Sequence, residues 1–237
     1  MKVLAVVPAR GGSVTLPRKN VLEFCGKPLI AHSIEAAQAA RRAGAPIERI
    51  IVSTDDPEIA EISRHFGADV PFWRPAELAR ADTPTLPVVQ HAIRFAEEQD
   101  RLRYDWLLLL QPTSPLRTAE DLQGALDIAA QHGTTSVISV TDANAGHPAK
   151  LKLIEHGVLR PYLGTNLQQP ARQDFGFDVY KTNGAIYLTR RDALLEENSF
   201  YGSCARPFVM PPERSVDIDT SLDFELAEFL WKRHPAN

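Results

Sequence analysis

Two aspartates separated by one residue, Asp217-Ile218-Asp219, form a hard-oxygen donor pair. In an extended segment alternate side chains project to one face, which sets these carboxylates about 7 Å apart. Oxygen ligands so spaced suit one Mg²⁺, or a pair of them, bridging nucleotide phosphates. The same residues also lead into the last helix, with Thr220 as its N-cap and Asp223 at N3. Spacing alone leaves the metal and the capping readings open.

A second candidate lies near the start. Pro8-Ala9-Arg10-Gly11-Gly12-Ser13-Val14-Thr15-Leu16-Pro17-Arg18-Lys19-Asn20 follows a short apolar run. Its glycines let backbone N–H groups approach a phosphate, and its three cations, Arg10, Arg18 and Lys19, add charge-assisted contacts. The spacing is neither G-x-G-x-x-G nor a Walker loop, since Gly26-Lys27 precedes Pro28. A basic surface turn is the alternative. A third candidate, Leu110-Gln111-Pro112-Thr113-Ser114-Pro115-Leu116-Arg117, sits after the most apolar run, where an α/β sheet places ligand contacts. His147 has no second histidine or nearby cysteine at ligand spacing and reads as a surface or hydrogen-bonding residue. Ser13 lacks the G-x-S-x-G setting of a hydrolase nucleophile.

Alternating strands and helices must position these segments. Residues 3–7 read as a fully apolar strand, and 28–43 as a helix stopped by Gly44. A strand over 49–53 precedes a helix capped by Asp56 and opened by Pro57, with Ile59, Ile62 and Phe66 on one face and Gly67 at its end. A helix over 87–99, a buried strand over 106–110, a helix capped by Thr118 and a strand over 135–140 follow. Residues 141–182 break the rhythm and read as an inserted arm. Strands at 185–188 and 207–210 and a helix from Leu222, with Leu226, Phe229 and Leu230 on its packing face, complete the chain. This order predicts one α/β domain over residues 1–237, built on a mostly parallel, doubly wound sheet.

Composition narrows the class. At 237 residues and 44% hydrophobic, the chain is long enough for a substantial core. A net charge of -4 argues against a general nucleic-acid binder. Yet residues 1–30 hold Lys2, Arg10, Arg18, Lys19 and Lys27 against Glu23 alone, a local balance suited to a small polyanion. Cys25 and Cys204 have no metal-ligand spacing and read as packing residues. Neither a secretory leader nor a run long enough to span a membrane is visible, so a soluble, cytoplasmic protein is expected.

In order and spacing, these segments resemble the acylneuraminate cytidylyltransferase family, which includes legionaminic and pseudaminic acid cytidylyltransferases. The likeness extends over essentially the whole length. It rests on residues 8–13 and 17–20, Gly26-Lys27-Pro28-Leu29-Ile30, Val52-Ser53-Thr54-Asp55, Arg74-Pro75-Ala76-Glu77-Leu78, residues 110–117, Asn183-Gly184-Ala185-Ile186-Tyr187 and Asp217-Ile218-Asp219-Thr220.

The resemblance implies a nucleotide-diphospho-sugar transferase-like fold with a dimerisation arm. It implies CTP binding by Ala9, Arg10, Gly11, Gly12, Ser13, Lys19 and Asn20, with Arg10 and Lys19 on the phosphates, and Mg²⁺ on Asp217 and Asp219. Gln111, Lys150, Arg172, Gln173, Lys181 and Tyr187 would face an acidic nine-carbon sugar, and Phe200 and Tyr201 its acyl group. Family members are homodimers.

Two departures stand out. Ser13-Val14-Thr15 replaces the family's usual Ser-Lys-Gly, and Tyr180-Lys181-Thr182 stands where an Arg followed by Pro is usual. Losing a charge-assisted contact costs about 1.5–3 kcal/mol unless another group supplies it. A cytidylyltransferase for an eight-carbon 2-keto acid, and a nucleotide-binding protein without turnover, are the competing readings.

Overall fold

The computed structural model describes residues 1–13, 15–143, 146–164 and 178–233. The chain runs β1 (Val3–Pro8), β2 (Glu23–Phe24), β3 (Lys27–Pro28), α1 (Leu29–Arg42), β4 (Ile47–Ser53), α2 (Pro57–His65), α3 (Thr85–Asp100), β5 (Trp106–Leu109) and α4 (Ala119–Ala129). It continues with β6 (Ser136–Asp142), β7 (Lys152–Glu155), β8 (Val158–Pro161), β9 (Tyr180–Arg190), α5 (Arg191–Leu195), β10 (Ala205–Val209) and α6 (Ser221–Arg233).

Six strands form the central sheet in the order β10-β6-β9-β5-β1-β4. β1 pairs in parallel with β4 and β5, and β10 with β6, while β9 runs antiparallel between β5 and β6. The mostly parallel α/β sheet is therefore as expected, with one reversed strand. Alternation along β1 gives the sheet its two faces: Val3, Ala5 and Val7 pack with Ile30 and Ile34 of α1 and Leu122 and Ala125 of α4. Leu4 and Val6 pack on the other face with Val89, Ala92 and Ile93 of α3 and Leu194 of α5. Burial on both faces explains why β1 and β5 are continuous apolar runs.

Caps fall where the sequence places them. Asp56 accepts from Ile59 N at 3.0 Å. Thr118 and Asp121 form a reciprocal capping box on α4. α3 begins two residues before Pro87, because the first helical turn has no N–H bond for a proline to break.

Three expectations are corrected. β9 begins at Tyr180 rather than 185, since its polar first residues are held by pairing with β6, Asp142 to Tyr180. Residues 141–142 and 180–182 thus belong to the central sheet. Between them, β7 and β8 form a separate antiparallel hairpin that exposes Ile154, Val158 and Leu159. On α6, Leu222, Leu226 and Phe229 are exposed. The helix carries two apolar stripes, and the one made by Phe224, Ala227, Leu230 and Trp231 packs on Phe24, Leu29, Leu116 and Ile218. Both cysteines are free, and Cys25 packs against this third cluster. Of the two readings of His147 the hydrogen-bonding one holds: the residue is buried, and its Nδ1 accepts from Ala149 N at 3.2 Å. Among the described residues no helix is long and apolar enough to cross a membrane.

Candidate active site

β1 delivers the glycine-containing loop to the carboxyl edge of the sheet, where the chain is fastened at several points. Ala9 N donates to Ser53 O at 2.9 Å, Gly11 N to Asp55 Oδ1 at 2.9 Å, and Asn20 Nδ2 to Arg10 O at 3.0 Å. These bonds fix the loop against β4 and the start of α2. They also use the Gly11 amide, so the N–H groups of this loop are not all free for a ligand. Ala9 is buried and acts as a support.

The loop borders a cavity of about 420 Å³ that Arg10, Gly12, Ser13, Lys19, Asn20, Gln111 and Asp219 help to line. Three chain-distant segments singled out from the sequence thus meet here. One of the loop's three cations does not take part. Arg18, in a left-handed conformation with φ 57°, turns to Asp56 and Glu58 and pairs with both. Asp56 is correspondingly held below the usual carboxylate pKa, first by the Arg18 hydrogen bond. Val14 lies outside the described residues.

Two further cations enter from the stretch after α2, and sequence reasoning gave them no role. Arg74 and Arg80 both line the cavity. Arg74 is only 7% exposed; its guanidinium donates to Ser53 Oγ at 3.2 Å and to Ser53 O. Burial pushes its pKa down to about 10, with Asp55 opposing and Arg10 adding to the fall, so it remains a cation at neutral pH. Arg10 Nη1 donates to Arg80 O at 2.7 Å and ties this stretch to the loop. Arg74 did stand in one of the quoted motifs; what was missing was the fold that carries it across to residue 10.

Of the two aspartates, Asp219 lines this cavity and Asp217 does not. Ile218 is fully buried, and its N donates to Thr113 O at 2.8 Å, fastening the Asp217–Asp219 stretch to the Gln111 loop. Lys19 Nζ donates to Ile218 O at 2.6 Å and pairs with Asp219 Oδ1 at 3.2 Å. The capping arrangement is present as well: Asp223 Oδ2 accepts from Thr220 N at 2.8 Å, and Thr220 Oγ1 accepts from Asp223 N at 3.3 Å. The two readings of this segment are compatible, because Asp223 caps while Asp217 and Asp219 stay free of that duty.

Asp217 has open surface at its edge, yet the protein packed around its carboxyl raises its pKa. A Thr113 hydrogen bond opposes this, and the Asp219 charge adds to it. Asp217 also lies beside Gln111. A Cβ built on Gly184 would sit 3.0 Å from Gln111 Oε1 and 3.3 Å from Asp217 Oδ2, so both side chains converge over that glycine. No cluster of three or more His, Cys, Asp or Glu is present among the described residues. A divalent ion at Asp217 and Asp219 would need ligand oxygens to complete its shell, the usual arrangement for Mg²⁺ on a nucleotide.

The residues expected to face a sugar fall into three groups. Tyr187 packs on Phe200 at 5.5 Å between ring centroids, and burial raises its hydroxyl pKa, with a Thr182 hydrogen bond opposing and Tyr201 and Asp217 adding. Tyr187, Phe200 and Tyr201 do not line the cavity, although the Asp217 charge reaches the Tyr187 hydroxyl. Lys150 is half-buried at the end of a short turn, and Lys181 is exposed on β9 opposite Thr141; neither lines the cavity. Arg172 and Gln173 lie outside the described residues.

A cytidylyltransferase family model matches residues 4–228. A CMP-N,N'-diacetyllegionaminic acid synthase of Legionella pneumophila is 37% identical, covering 98% of this chain and 97% of its own. A pseudaminic acid cytidylyltransferase of Campylobacter jejuni is 32% identical, covering 98% and 97%. Among solved structures, a CMP:2-keto-3-deoxy-manno-octonic acid synthetase complexed with CTP superposes with a TM-score of 0.70 over 98% of this chain and 99% of that one. At 21% identity it shows a shared fold. Cations gathered at the strand ends, a paired-carboxylate edge and this coverage lead to one conclusion: the chain belongs to the cytidylyltransferase family and is a nucleotidyltransferase.

Proposed function

We propose that this enzyme transfers CMP from CTP to the anomeric hydroxyl of a nonulosonic, sialic-acid-type sugar acid and releases pyrophosphate. The observation that carries the reading is the cavity in which Arg10, Lys19, Arg74 and Arg80 face Gln111 and Asp219. The names of the full-length relatives point to nonulosonic acids as the acceptor class. The sugar hydroxyl forms a bond to the α-phosphorus, the bond from that phosphorus to the bridging oxygen breaks, and the hydroxyl proton is lost. Such in-line transfer needs positioning and charge stabilisation rather than a covalent intermediate. The four cations bind the triphosphate and the departing pyrophosphate. Gln111 and the Tyr187, Phe200 and Tyr201 group orient the acceptor, with Lys150, Arg172, Gln173 and Lys181 as counter-charges or hydrogen-bond partners from the arm side.

Asp217 and Asp219 would hold Mg²⁺. The donor set fits, because both groups are hard carboxylates, the Asp219 charge acts on Asp217, and Lys19 Nζ already occupies a cation's place against Asp219. When bound, the metal supplies charge neutralisation across the phosphate oxygens. The reaction would run in the cytoplasm, where CTP is made. The assay is pyrophosphate release from CTP and Mg²⁺ with sialic, legionaminic, pseudaminic and eight-carbon 2-keto acids. Turnover with at least one nine-carbon acid is expected, and none at high enzyme concentration overturns the reading.

Arg80 takes on the charge that Val14 does not supply. Its side chain is exposed and, among the described residues, paired only with the exposed Asp82 at 3.2 Å, so it is free to turn into the cavity. Replacing Arg80 by Ala should raise the KM for CTP by about tenfold, the scale of one charge-assisted contact, with partial recovery in Arg80→Lys. Steady-state kinetics with CTP as the varied substrate measure it.

The working unit is a homodimer joined through the β7–β8 arm. Ile154 is 77% exposed, beside exposed Val158, Leu159, Tyr162 and Leu163, a patch that gains by being covered. Ile154→Asp together with Leu159→Asp should convert the dimer to monomer in sedimentation velocity, and an unchanged mass would remove the arm from the interface.

A further inference from the structure

The four cations that line the nucleotide cavity are not held alike. Arg10 donates to Arg80 O, Arg74 donates to Ser53, and Arg80 pairs with Asp82. Among the described residues, Lys19 is the one of the four that is bonded to the aspartate stretch. Its Nζ donates to Ile218 O at 2.6 Å and to Asp219 Oδ1 at 3.2 Å.

The backbones on both sides of this contact are fixed. Lys19 N donates to Leu16 O at 3.2 Å, Lys19 O accepts from Leu22 N at 3.3 Å, and the neighbouring Asn20 side chain is tied to Arg10 O. On the other side, Ile218 is fully buried and its N is bonded to Thr113 O. The ammonium, on a flexible four-carbon stem, is therefore the part that can move. Two of its three N–H groups are spent on Ile218 and Asp219, and the third has no partner among the described residues. That leaves a donor for an anion in the cavity that Lys19 lines.

One ammonium serves both carboxylates. Among the described residues Asp219 has no other ion pair. At Asp217, burial raises the pKa and a Thr113 hydrogen bond lowers it, while the Asp219 charge raises it and the Lys19 charge lowers it. An ammonium and a divalent cation cannot share such an edge without like-charge repulsion at close range. A triphosphate, by contrast, offers the ammonium acceptor oxygens inside the cavity.

We propose that Lys19 is a resident counter-ion of the aspartate edge: in the nucleotide-free chain its ammonium keeps a divalent cation off Asp219, and a triphosphate releases that place by drawing the ammonium to itself. The inference rests on the assignment of Asp217 and Asp219 to the metal. It makes the order of binding a property of one side chain, with nucleotide arriving before the metal or together with it.

The first half is tested by Mn²⁺ binding to the full chain without nucleotide, read by the loss of the free-ion electron paramagnetic resonance signal. Lys19→Met should raise Mn²⁺ affinity about five- to tenfold over the parent, the effect of removing a like charge from beside the ion. Arg10→Met, which removes a cavity cation with no bond to either aspartate among the described residues, should leave that affinity unchanged. Should Lys19→Met fail to fold, Lys19→Gln, whose amide can still donate to Ile218 O, decides. Equal affinity in the parent and the Lys19 variant, no binding in either, or an equal gain in Arg10→Met overturns the inference. Adding Asp219→Asn to Lys19→Met should abolish the binding gained; if that binding persists, the assignment of the metal to this edge fails. Loss of Mn²⁺ in Asp219→Asn without a gain in Lys19→Met would leave the assignment standing and remove the inference.

The second half is tested by titrating metal-free CTP, by calorimetry, into the four chains of a Lys19→Met and Asp219→Asn double-mutant cycle. Asp219→Asn tightens CTP binding in either background by removing a negative charge, but it sets an ammonium free only where Lys19 is present. The gain should therefore be about two- to fivefold larger in the parent than in Lys19→Met, the scale of an exposed ion pair. Equal gains would mean that the ammonium stays on the aspartate when nucleotide binds, and would overturn the release.

Discussion

Asp217→Asn should lose turnover by about three orders of magnitude or more, the scale of removing a ligand from a metal that carries transition-state charge, while the protein melts no lower than the parent. The second half follows from linkage. The Asp217 carboxyl has its pKa raised by burial, so the folded state disfavours its ionised form. Stability from a carboxyl of this kind is fully present below its ordinary pKa and is lost as pH rises through the raised one. At neutral pH the charge is therefore a burden on folding, and an uncharged amide of the same shape relieves it. Activity has the opposite sign: the ionised form binds metal, so turnover falls as pH is lowered through that raised pKa. Asp219→Asn should lose activity similarly but leave the melting temperature nearly unmoved, because its ion pair with Lys19 is 71% exposed on the acid side and such pairs are worth about 0–1 kcal/mol. Pyrophosphate release and thermal melts over a pH series check both. Near-normal rates in either variant would take that residue out of the mechanism.

How much of this arrangement could be read from the chain differs by element. β1 and β5 were legible because strands buried on both faces must be apolar throughout, and α2 and α4 because Asp56 and Thr118 mark their caps. β9 was half legible: residues 185–188 are nearly all apolar, but Tyr180, Lys181 and Thr182 join the sheet only through their pairing with β6. On α6 the helix and its packed Leu230 were legible but Leu226 and Phe229 were placed on the wrong side, because periodicity identifies an apolar stripe without saying what it meets, and here two stripes compete. The same limit applies in the site. The loop, Gln111 and the aspartate pair could be found because local spacing fixes their side-chain directions. Arg18 could not be told from Arg10 and Lys19, since its acidic partners Asp56 and Glu58 come from α2 and its cap. Arg74 and Arg80 sit in irregular chain whose course is set only by tertiary contacts such as Arg74 to Ser53.

Gly184→Ala should lose both stability and turnover, and the two losses have separable causes. With φ at 75°, Gly184 occupies a conformation that costs other residues about 1–2 kcal/mol. Its missing Cβ would also approach Gln111 Oε1, Ser114 Oγ and Asp217 Oδ2 at 3.0–3.3 Å. The backbone has little room to yield. The adjacent Asn183 is 2% exposed, with its Oδ1 accepting from Ser139 Oγ at 2.5 Å and its Nδ2 donating to Ser215 Oγ at 2.9 Å. Ser114 Oγ in turn donates to Asn183 O at 3.1 Å. The strain must therefore pass to Gln111 and Asp217, the groups assigned to acceptor and metal. A displacement of that kind should lower kcat by about 10- to 100-fold, while the KM for CTP, set by Arg10, Lys19, Arg74 and Arg80, changes little. Gly133→Ala supplies the control. Its φ is 81°, but a Cβ there meets nothing within 4 Å, so it should carry the backbone penalty alone and keep kcat. If the two variants lose equal stability and both retain full kcat, Gly184 serves only the turn of the chain, and the convergence of Gln111 and Asp217 over it has no part in catalysis.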